Sequence, residues 1–540
     1  MQKIITLRLL PAEAASEQLV AEYIARNESV KTTSVTGFTI LKQSIDARGK
    51  QPWIQLSLKA YINEPYHQRE VLSFSFKDVH HSRYKVIIIG AGPAGLFAAL
   101  QLLEAGIKPI ILERGKNVRD RRRDLALLNK QGIINPESNY CFGEGGAGTY
   151  SDGKLYTRSS KRGDVNRILN LFVRFGAEEK ILYEAHPHIG TNKLPHIITA
   201  MRQQITACGG ELLFEKKFTE LITDKGRVTG VKTADGNQYD ADAVILATGH
   251  SARDVFESLH RSGVLIEAKA FALGVRAEHP QTLIDSAQYH ANFGVEGVVR
   301  DAHLPPASYS LVQQVDGKGV FSFCMCPGGI IAPAATSPEE LVVNGWSPSK
   351  RNNPYANSGI VVTVSEEDVL ETMRSKYWKI EKASPPGASD PLLLMKFQQL
   401  VEQKAYTAGG GAFVAPALRM VDFVNNKVSI DLPDCSYLPG IQAADMRQVL
   451  PAFVHKRLQA AFKEFGKKIK GYYTNDAVVV ATESRTSSPV RIPRDNTSLQ
   501  HPQLQNLYPC GEGAGYAGGI VSAAMDGENV AARISVTLTS

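Results

Sequence analysis

The sequence predicts an α/β protein: a Rossmann-like dinucleotide-binding domain, an inserted mainly β substrate/cap domain and a small N-terminal α+β domain. Three observations predict it. The continuous apolar run Val86–Ile89 leads directly into Gly90-Ala-Gly92-Pro-Ala-Gly95 and then into a helical pattern. Residues 270–445 are rich in proline, glycine and short strand-like runs, and residues 1–80 carry a β-α-β-β pattern of their own. The length of 540 residues agrees, since it exceeds what one hydrophobic core usually organises.

In chain order, residues 4–10 are strand-like, and 13–27 carry a helical period through Ala15, Leu19, Val20, Tyr23 and Ile24. Residues 35–45 and 53–62 follow as strands, the second placing Trp53, Gln55, Ser57 and Lys59 on one face. This order suggests half of a ferredoxin-like fold, with a docking, lid or purely structural role. Val86–Ile89 is apolar without alternation, as a central parallel strand buried on both faces should be. A helix to about 105 and a second buried strand at 107–112 continue the pattern. Helical patterns at 165–176 and 195–208 then alternate with strands at 211–215, 227–233 and 242–248. A helix near 448–465 leads back to the C-terminal part. The expected division is 1–80, 81–269 as the first part of the nucleotide domain, 270–445 as the insertion, and 446–540 as its second part.

Composition excludes several classes. With 43% hydrophobic and 21% charged residues the chain is an ordinary globular protein. No run approaches the roughly 18 apolar residues of a membrane span, and Arg8 breaks the short apolar N-terminus, so a cytoplasmic protein without a membrane partner is expected. The net charge of +7 permits an anionic substrate or a nucleic acid and requires neither. The six cysteines, at 141, 208, 324, 326, 435 and 510, are too sparse for a disulfide scaffold and lack zinc-site spacing. Reduced thiols and no metal are expected, and oligomeric state is not legible.

In Gly90-Ala-Gly92-Pro93-Ala94-Gly95 the first glycine permits the tight turn, the second lets a pyrophosphate approach the backbone, and the third lets helix and strand pack closely. The helix start then offers unpaired N–H groups and a positive dipole end to phosphate. Glu113, 23 residues after Gly90 at the end of the second strand, stands where a carboxylate accepts ribose hydroxyls. Two distant segments decide which dinucleotide. Asp242–Gly249 is a buried strand ending in Ala-Thr248-Gly249, and Asn506–Gly515 runs into Cys-Gly511-Glu512-Gly-Ala-Gly, followed by Gly518-Gly519-Ile520 and a helix. Both resemble the second and third fingerprints of flavoproteins with a glutathione-reductase-like FAD domain. That resemblance implies a Rossmann-like FAD-binding domain with FAD as cofactor, although Glu512 stands where aspartate is usual. No second strand–glycine–helix motif occurs, so NAD(P)H, if it is the reductant, binds transiently.

Cys141-Phe-Gly-Glu-Gly145-Gly146-Ala147-Gly-Thr149-Tyr-Ser151-Asp152-Gly-Lys154 is a second glycine-rich run, suited to wrapping an anion or approaching a flat ring. Thr149, Ser151 and Asp152 are candidates for the pyrophosphate or ribitol, and Lys154 for the N5/O4 side of the flavin. The run resembles that of a bacterial family of FAD-dependent dehydrogenases of unknown substrate. The resemblance extends over nearly the whole chain, through Phe323–Gly329, Asn344–Gly359 and Glu483–Arg491, and it implies FAD and redox chemistry. Arg114 and Phe218 complete the expected cofactor-binding residues.

The expected catalytic groups are Lys154, Arg485, Cys324 and Cys326. In a regular strand the two cysteines share a face, so either a redox relay or plain packing fits them. Arg485, Arg491 and Arg494 cluster within ten residues, and arginine's planar fork suits carboxylate or phosphate, which favours an anionic small substrate. His186, His188 and His250 lack evident partners, and Arg119 and Arg121–Arg123 read as a solvated helix face. The function expected is hydride transfer between flavin and a small substrate by an FAD-dependent oxidoreductase. The alternatives are a flavin-dependent tRNA-modifying protein, against which the lack of a Lys/Arg cluster with exposed aromatics beyond residues 114–123 speaks, and a flavin-bound regulatory protein with little turnover.

Overall fold

Five parallel strands form the centre of the nucleotide domain, in the spatial order Leu507–Pro509, Ala243–Leu246, Lys85–Ile89, Lys108–Leu112 and Glu211–Leu213. The structure is a computed structural model that describes residues 1–157, 163–293, 299–375, 378 and 390–539. The first strand in the sequence lies in the middle, the next two to one side and the last two to the other, which is the Rossmann arrangement. Val86–Ile89 is buried, and the helix Pro93–Ala105 follows with proline in its first turn and Gly106 closing it in a left-handed conformation. Gly90 adopts φ +105, and a Cβ there would stand 2.5 Å from the Ala247 carbonyl oxygen; only glycine permits this turn beside the neighbouring strand. At Gly95 a Cβ would lie 2.0 Å from the Gly90 oxygen, so the close packing of helix on turn expected from the sequence is present.

The insertion centres on a seven-stranded sheet in the order Val312–Val315, Lys318–Cys326, Tyr355–Val364, Phe271–Pro280, Val478–Glu483, Ala415–Arg419 and Ile441–Ala443. All neighbours pair antiparallel except the last two strands. The strand Val478–Glu483 lies inside this sheet beside Phe271–Pro280, so the inserted unit runs past the expected boundary at 445. The helix Ala452–Lys468 belongs to the same apolar cluster, through Val454, Leu458, Ala461, Phe462 and Phe465. An amphipathic helix read from sequence shows which face is buried but not against which domain. The insertion also carries a substantial helix, Leu393–Ala408, beyond its expected mainly β content.

The N-terminal strands Gln2–Leu9 and Val35–Asp46 flank Trp53–Ile62, both antiparallel to it. Leu56 and Leu58 of that strand and Ile24 of the helix Glu17–Glu28 fall in the same apolar cluster as Leu273, Val275 and Phe462 of the insertion. The unit expected to stand apart therefore shares the insertion's core. A single helix on a three-stranded sheet buries too little apolar surface alone. Among the described residues, no helix is long and apolar enough to cross a membrane.

Candidate active site

A cavity of about 400 Å³ opens where the glycine turn, the helix starts and the inserted sheet meet. Gly90, Gly92, Pro93 and Ala94 form one wall, with Glu113, Arg114 and Phe218 beside them. Thr248 and Gly249, then Gly511, Glu512, Gly519 and Ile520, contribute the strand ends and the start of the helix Ile520–Thr539. The glycine-rich run supplies Gly146, Ala147, Ser151, Asp152 and Lys154. The inserted unit closes the cavity with Phe323, Cys324, Asn344 and Arg485. Residues expected to act together from sequence positions hundreds apart therefore share one space.

Four expected residues do not line it. Gly95 packs the helix on the turn, and Gly145 faces Thr149 and Ile198. Thr149 is fully buried; its hydroxyl donates to the Glu144 carbonyl at 2.7 Å and accepts from Arg121 at 3.2 Å. It therefore shapes the loop and does not face the cavity. Cys326 is also buried, behind Cys324. Arg121 is a further correction, because it is fully buried rather than solvated. Its guanidinium donates to the carbonyls of Asn139, Tyr140, Glu144 and Gly146 at 2.8–3.0 Å, holding the glycine-rich run in shape. Arg119, Arg122 and Arg123 are exposed as expected. A lone buried arginine on a charged helix carries no sequence signal, since the acceptors it needs are backbone carbonyls.

The residues present fit an FAD. Glu113 faces the cavity while its two oxygens accept the amides of Ala91, Gly115 and Gly143 at 2.8–2.9 Å, which fixes the carboxylate in place. Asp152 is buried, bonded through Oδ2 to Arg351 at 2.9 Å and 3.6 Å from Lys154, while its Oδ1 has no hydrogen-bond partner. Burial opposes ionisation of Asp152, but Lys154 and Arg351 outweigh it and hold its carboxyl below the usual range. An ionised, unsatisfied oxygen at a cavity wall is a position for a ligand donor. At Gly249, Gly518 and Gly519 a Cβ would meet nothing within 4 Å. The Gly511 amide is taken by Asp526 at 2.7 Å, while Glu512 lies 3.4 Å from His250, so the unusual glutamate leaves the backbone role to Asp526.

Arg485 changes role. It is buried and bonds Glu402 at 2.9 and 3.2 Å, Thr336 at 2.7 Å and Glu340 at 3.2 Å, while Arg253 joins Glu402 at 2.8 Å and Glu340 at 3.0 Å. Arg494 is likewise paired with Asp526 at 2.6 Å and lies over Tyr516, and Arg491 stays at the surface near Glu267. Arg485 and Arg494 of the cluster expected to bind an anion are consumed by internal pairs, while Lys154 lines the cavity beside Cys324. Glu402 is held at about 2, burial being outweighed by Arg253 and Arg485. A depressed carboxylate contributes stability above its unfolded pKa of about 4.3, and that contribution is lost as pH falls towards 2. Glu402→Gln is therefore expected to lower the thermal midpoint at pH 7 and to flatten its fall below about pH 4.3, read by circular dichroism.

At the inserted wall the strand Lys318–Cys326 is irregular: its pairing with Tyr355–Val364 shifts between Phe323 and Cys326, and Cys324 sits at φ +47. The regular strand expected for the two cysteines is thus a bulge, yet Lys154 Nζ lies 3.8 Å from the Cys324 sulfur and 3.7 Å from that of Cys326. Arg276, fully buried, donates to Asn357 Oδ1 at 2.7 Å, Glu483 at 2.6 Å and the Cys324 carbonyl at 2.7 Å, with the Cys326 sulfur at 3.6 Å. Sequence reasoning missed Arg276; its signal was a charge set among apolar residues within the strand Phe271–Pro280. His188 accompanies this group, its ring pushed down to about 4 by burial and Arg351, so it is neutral at pH 7.

Residues 83–247 match the family described as an FAD binding domain, and residues 270–486 one described as the C-terminal domain of FAD-dependent proteins. Residues 1–61 match a domain of unknown function. An uncharacterized protein of Clostridium beijerinckii is 37% identical, covering 95% of this chain and 94% of that protein. Thiamine thiazole synthase of Aeropyrum pernix is 25% identical over 40% of this chain and 73% of its own. Among solved structures, 2,6-dihydroxypyridine-3-hydroxylase of Arthrobacter nicotinovorans is 10% identical, covering 86% of this chain and 85% of that one at a TM-score of 0.35.

Proposed function

The chain belongs to a family of FAD-dependent proteins that joins an FAD-binding domain to an FAD-dependent C-terminal domain, and on that premise we propose that it transfers a hydride between FAD and a small substrate held against Lys154, Phe323, Cys324 and Asn344. It is an FAD-dependent oxidoreductase. The observation that carries the finer reading is the single cavity shared by the nucleotide-binding turns and the inserted wall.

The turn at Gly90–Ala94, Glu113, Asp152, Thr248-Gly249 and Gly511-Glu512 would hold the cofactor, which when bound supplies the acceptor and donor of the electron pair. The start of the helix Ile520–Thr539 places its positive dipole end at the cavity, where negative charge on the cofactor is stabilised. Lys154, about a third exposed, orients the substrate by charge and hydrogen bonding. Phe323 and the inserted sheet keep water from the reacting face. A nicotinamide donor, if used, enters this same cavity transiently.

Anaerobic addition of NADH and of NADPH to the flavin-loaded protein is expected to bleach the band near about 450 nm with one of them. Bleaching by neither would make the small substrate itself the reductant. Substrate-dependent oxygen uptake would replace the hydride-transfer reading with a hydroxylation, and failure to retain any flavin would overturn the reading altogether.

A further inference from the structure

We propose that Cys324 and Cys326 are a redox-active dithiol, with Cys324 the exchanging sulfur and Cys326 the resolving one, which passes an electron pair from reduced flavin to a disulfide substrate. This rests on the reading of the cavity as the FAD site. The balance has two steps. A bound reduced flavin would supply two electrons, and with two protons the Cys324–Cys326 disulfide would become two thiols. The Cys324 thiolate then attacks the substrate disulfide and releases one thiol. Cys326 attacks the mixed disulfide, releasing the second thiol and restoring the Cys324–Cys326 bond.

Four observations support it. The two sulfurs converge on one ammonium group, Lys154 Nζ, at 3.8 and 3.7 Å, although a single residue separates them in the chain. The bulge that brings this about places Cys324, a non-glycine residue, at φ +47, and backbone strain of this kind persists where the surroundings enforce it, often at functional sites. Access is asymmetric in the way an exchanging pair needs: Cys324 is half-buried and lines the cavity, whereas Cys326 is fully buried behind it. The surrounding charges also favour a thiolate. Lys154 pairs with Asp152, Arg351 with Asp152 and Arg276 with Glu483, while Lys154 also lies against the Cys324 sulfur, where its charge and that of Arg276 favour the thiolate.

Plain packing does not account for this environment. Cys510, buried in the nucleotide domain, has its thiol pushed up by burial, as an inert core thiol should. Cys324 is driven the opposite way: the hydrogen bond from Cys326 favours its thiolate first, and Lys154 and Arg276 add to this against the cost of burial. Cys326 keeps its proton, held by that same bond and by burial. A disulfide across one intervening residue closes a small, constrained ring, which makes it readily reduced and suits it to exchange rather than to stabilising the fold.

The test uses the full-length, FAD-loaded protein. Anaerobic dithionite titration is expected to consume two electron pairs per flavin in the wild type, and one in Cys324→Ser and in Cys326→Ser. Differential alkylation and mass spectrometry should recover the 324–326 peptide of the air-oxidised protein as an internal disulfide, and that of the titrated protein as two blocked thiols. Because the wild-type mass measurement needs no variant, poor folding of either serine form leaves the test decisive. A flavin-loaded wild type that takes up one electron pair with both thiols already alkylatable overturns the dithiol and leaves the FAD reading standing. Loss of both follows if the chain binds no flavin.

Discussion

Replacing Arg276 by methionine is expected to destabilise the protein by about 3–5 kcal/mol, the usual cost of removing one partner of a buried ion pair. The neighbours explain the size. Arg276 and Glu483 are both buried within the seven-stranded sheet, 2.6 Å apart, and the methionine would leave Glu483 with no counter-charge. Even with Arg276 present, burial pushes the Glu483 carboxyl up to about 7, against the pull of Arg276. The sign of the pH dependence follows. A carboxyl with a raised folded pKa binds more protons folded than unfolded, so stability falls as pH rises from its unfolded value of about 4.3 towards 7. Without Arg276 the folded pKa rises further and the fall extends to higher pH. The gap between the thermal midpoints of variant and wild type is therefore expected to widen from pH 5 to pH 8. A gap that stays constant would show that Glu483 is not the group left uncompensated.

Gly519→Leu is expected to leave the fold intact and abolish flavin retention. A Cβ at Gly519 meets no protein atom within 4 Å, and its φ is not in the left-handed region, so the chain accepts a side chain there without strain. The residue lines the cavity at the start of the helix Ile520–Thr539, where that side chain would occupy the cofactor's space. Affinity for FAD should fall on the order of a hundredfold, about 2.8 kcal/mol at 1.4 kcal/mol per tenfold. Equilibrium dialysis with FAD measures it, and unchanged far-ultraviolet circular dichroism separates it from unfolding. Normal flavin binding by this variant would move the cofactor site away from the helix start.

The legible part of the protein was local. Val86–Ile89, the glycine turn and the helix Pro93–Ala105 form a contiguous unit whose burial, φ requirement and packing are all written within twenty residues. The strand ends at Thr248-Gly249 and Gly511-Glu512 were found for the same reason: a strand that stops at a glycine turn announces itself without its partners. The sequence thus determined that there is a parallel nucleotide-binding sheet and where its ligand-facing turns lie.

Tertiary structure decided the chemistry of the charged and sulfur-bearing groups, because their states depend on what lies opposite them. Arg485 looked available for a substrate until Glu340 and Glu402, 145 and 83 residues away in the chain, were seen to occupy it. Arg121 looked solvated until four backbone carbonyls, two just before the glycine-rich run and two within it, closed around it. The pairing of Arg276 with Glu483 spans 207 residues, and the meeting of Lys154 with Cys324 spans 170. A periodic pattern reports which face of an element is buried. The Coulomb and desolvation energies that set a group's protonation act between atoms a few ångströms apart, a distance that only the folded chain defines.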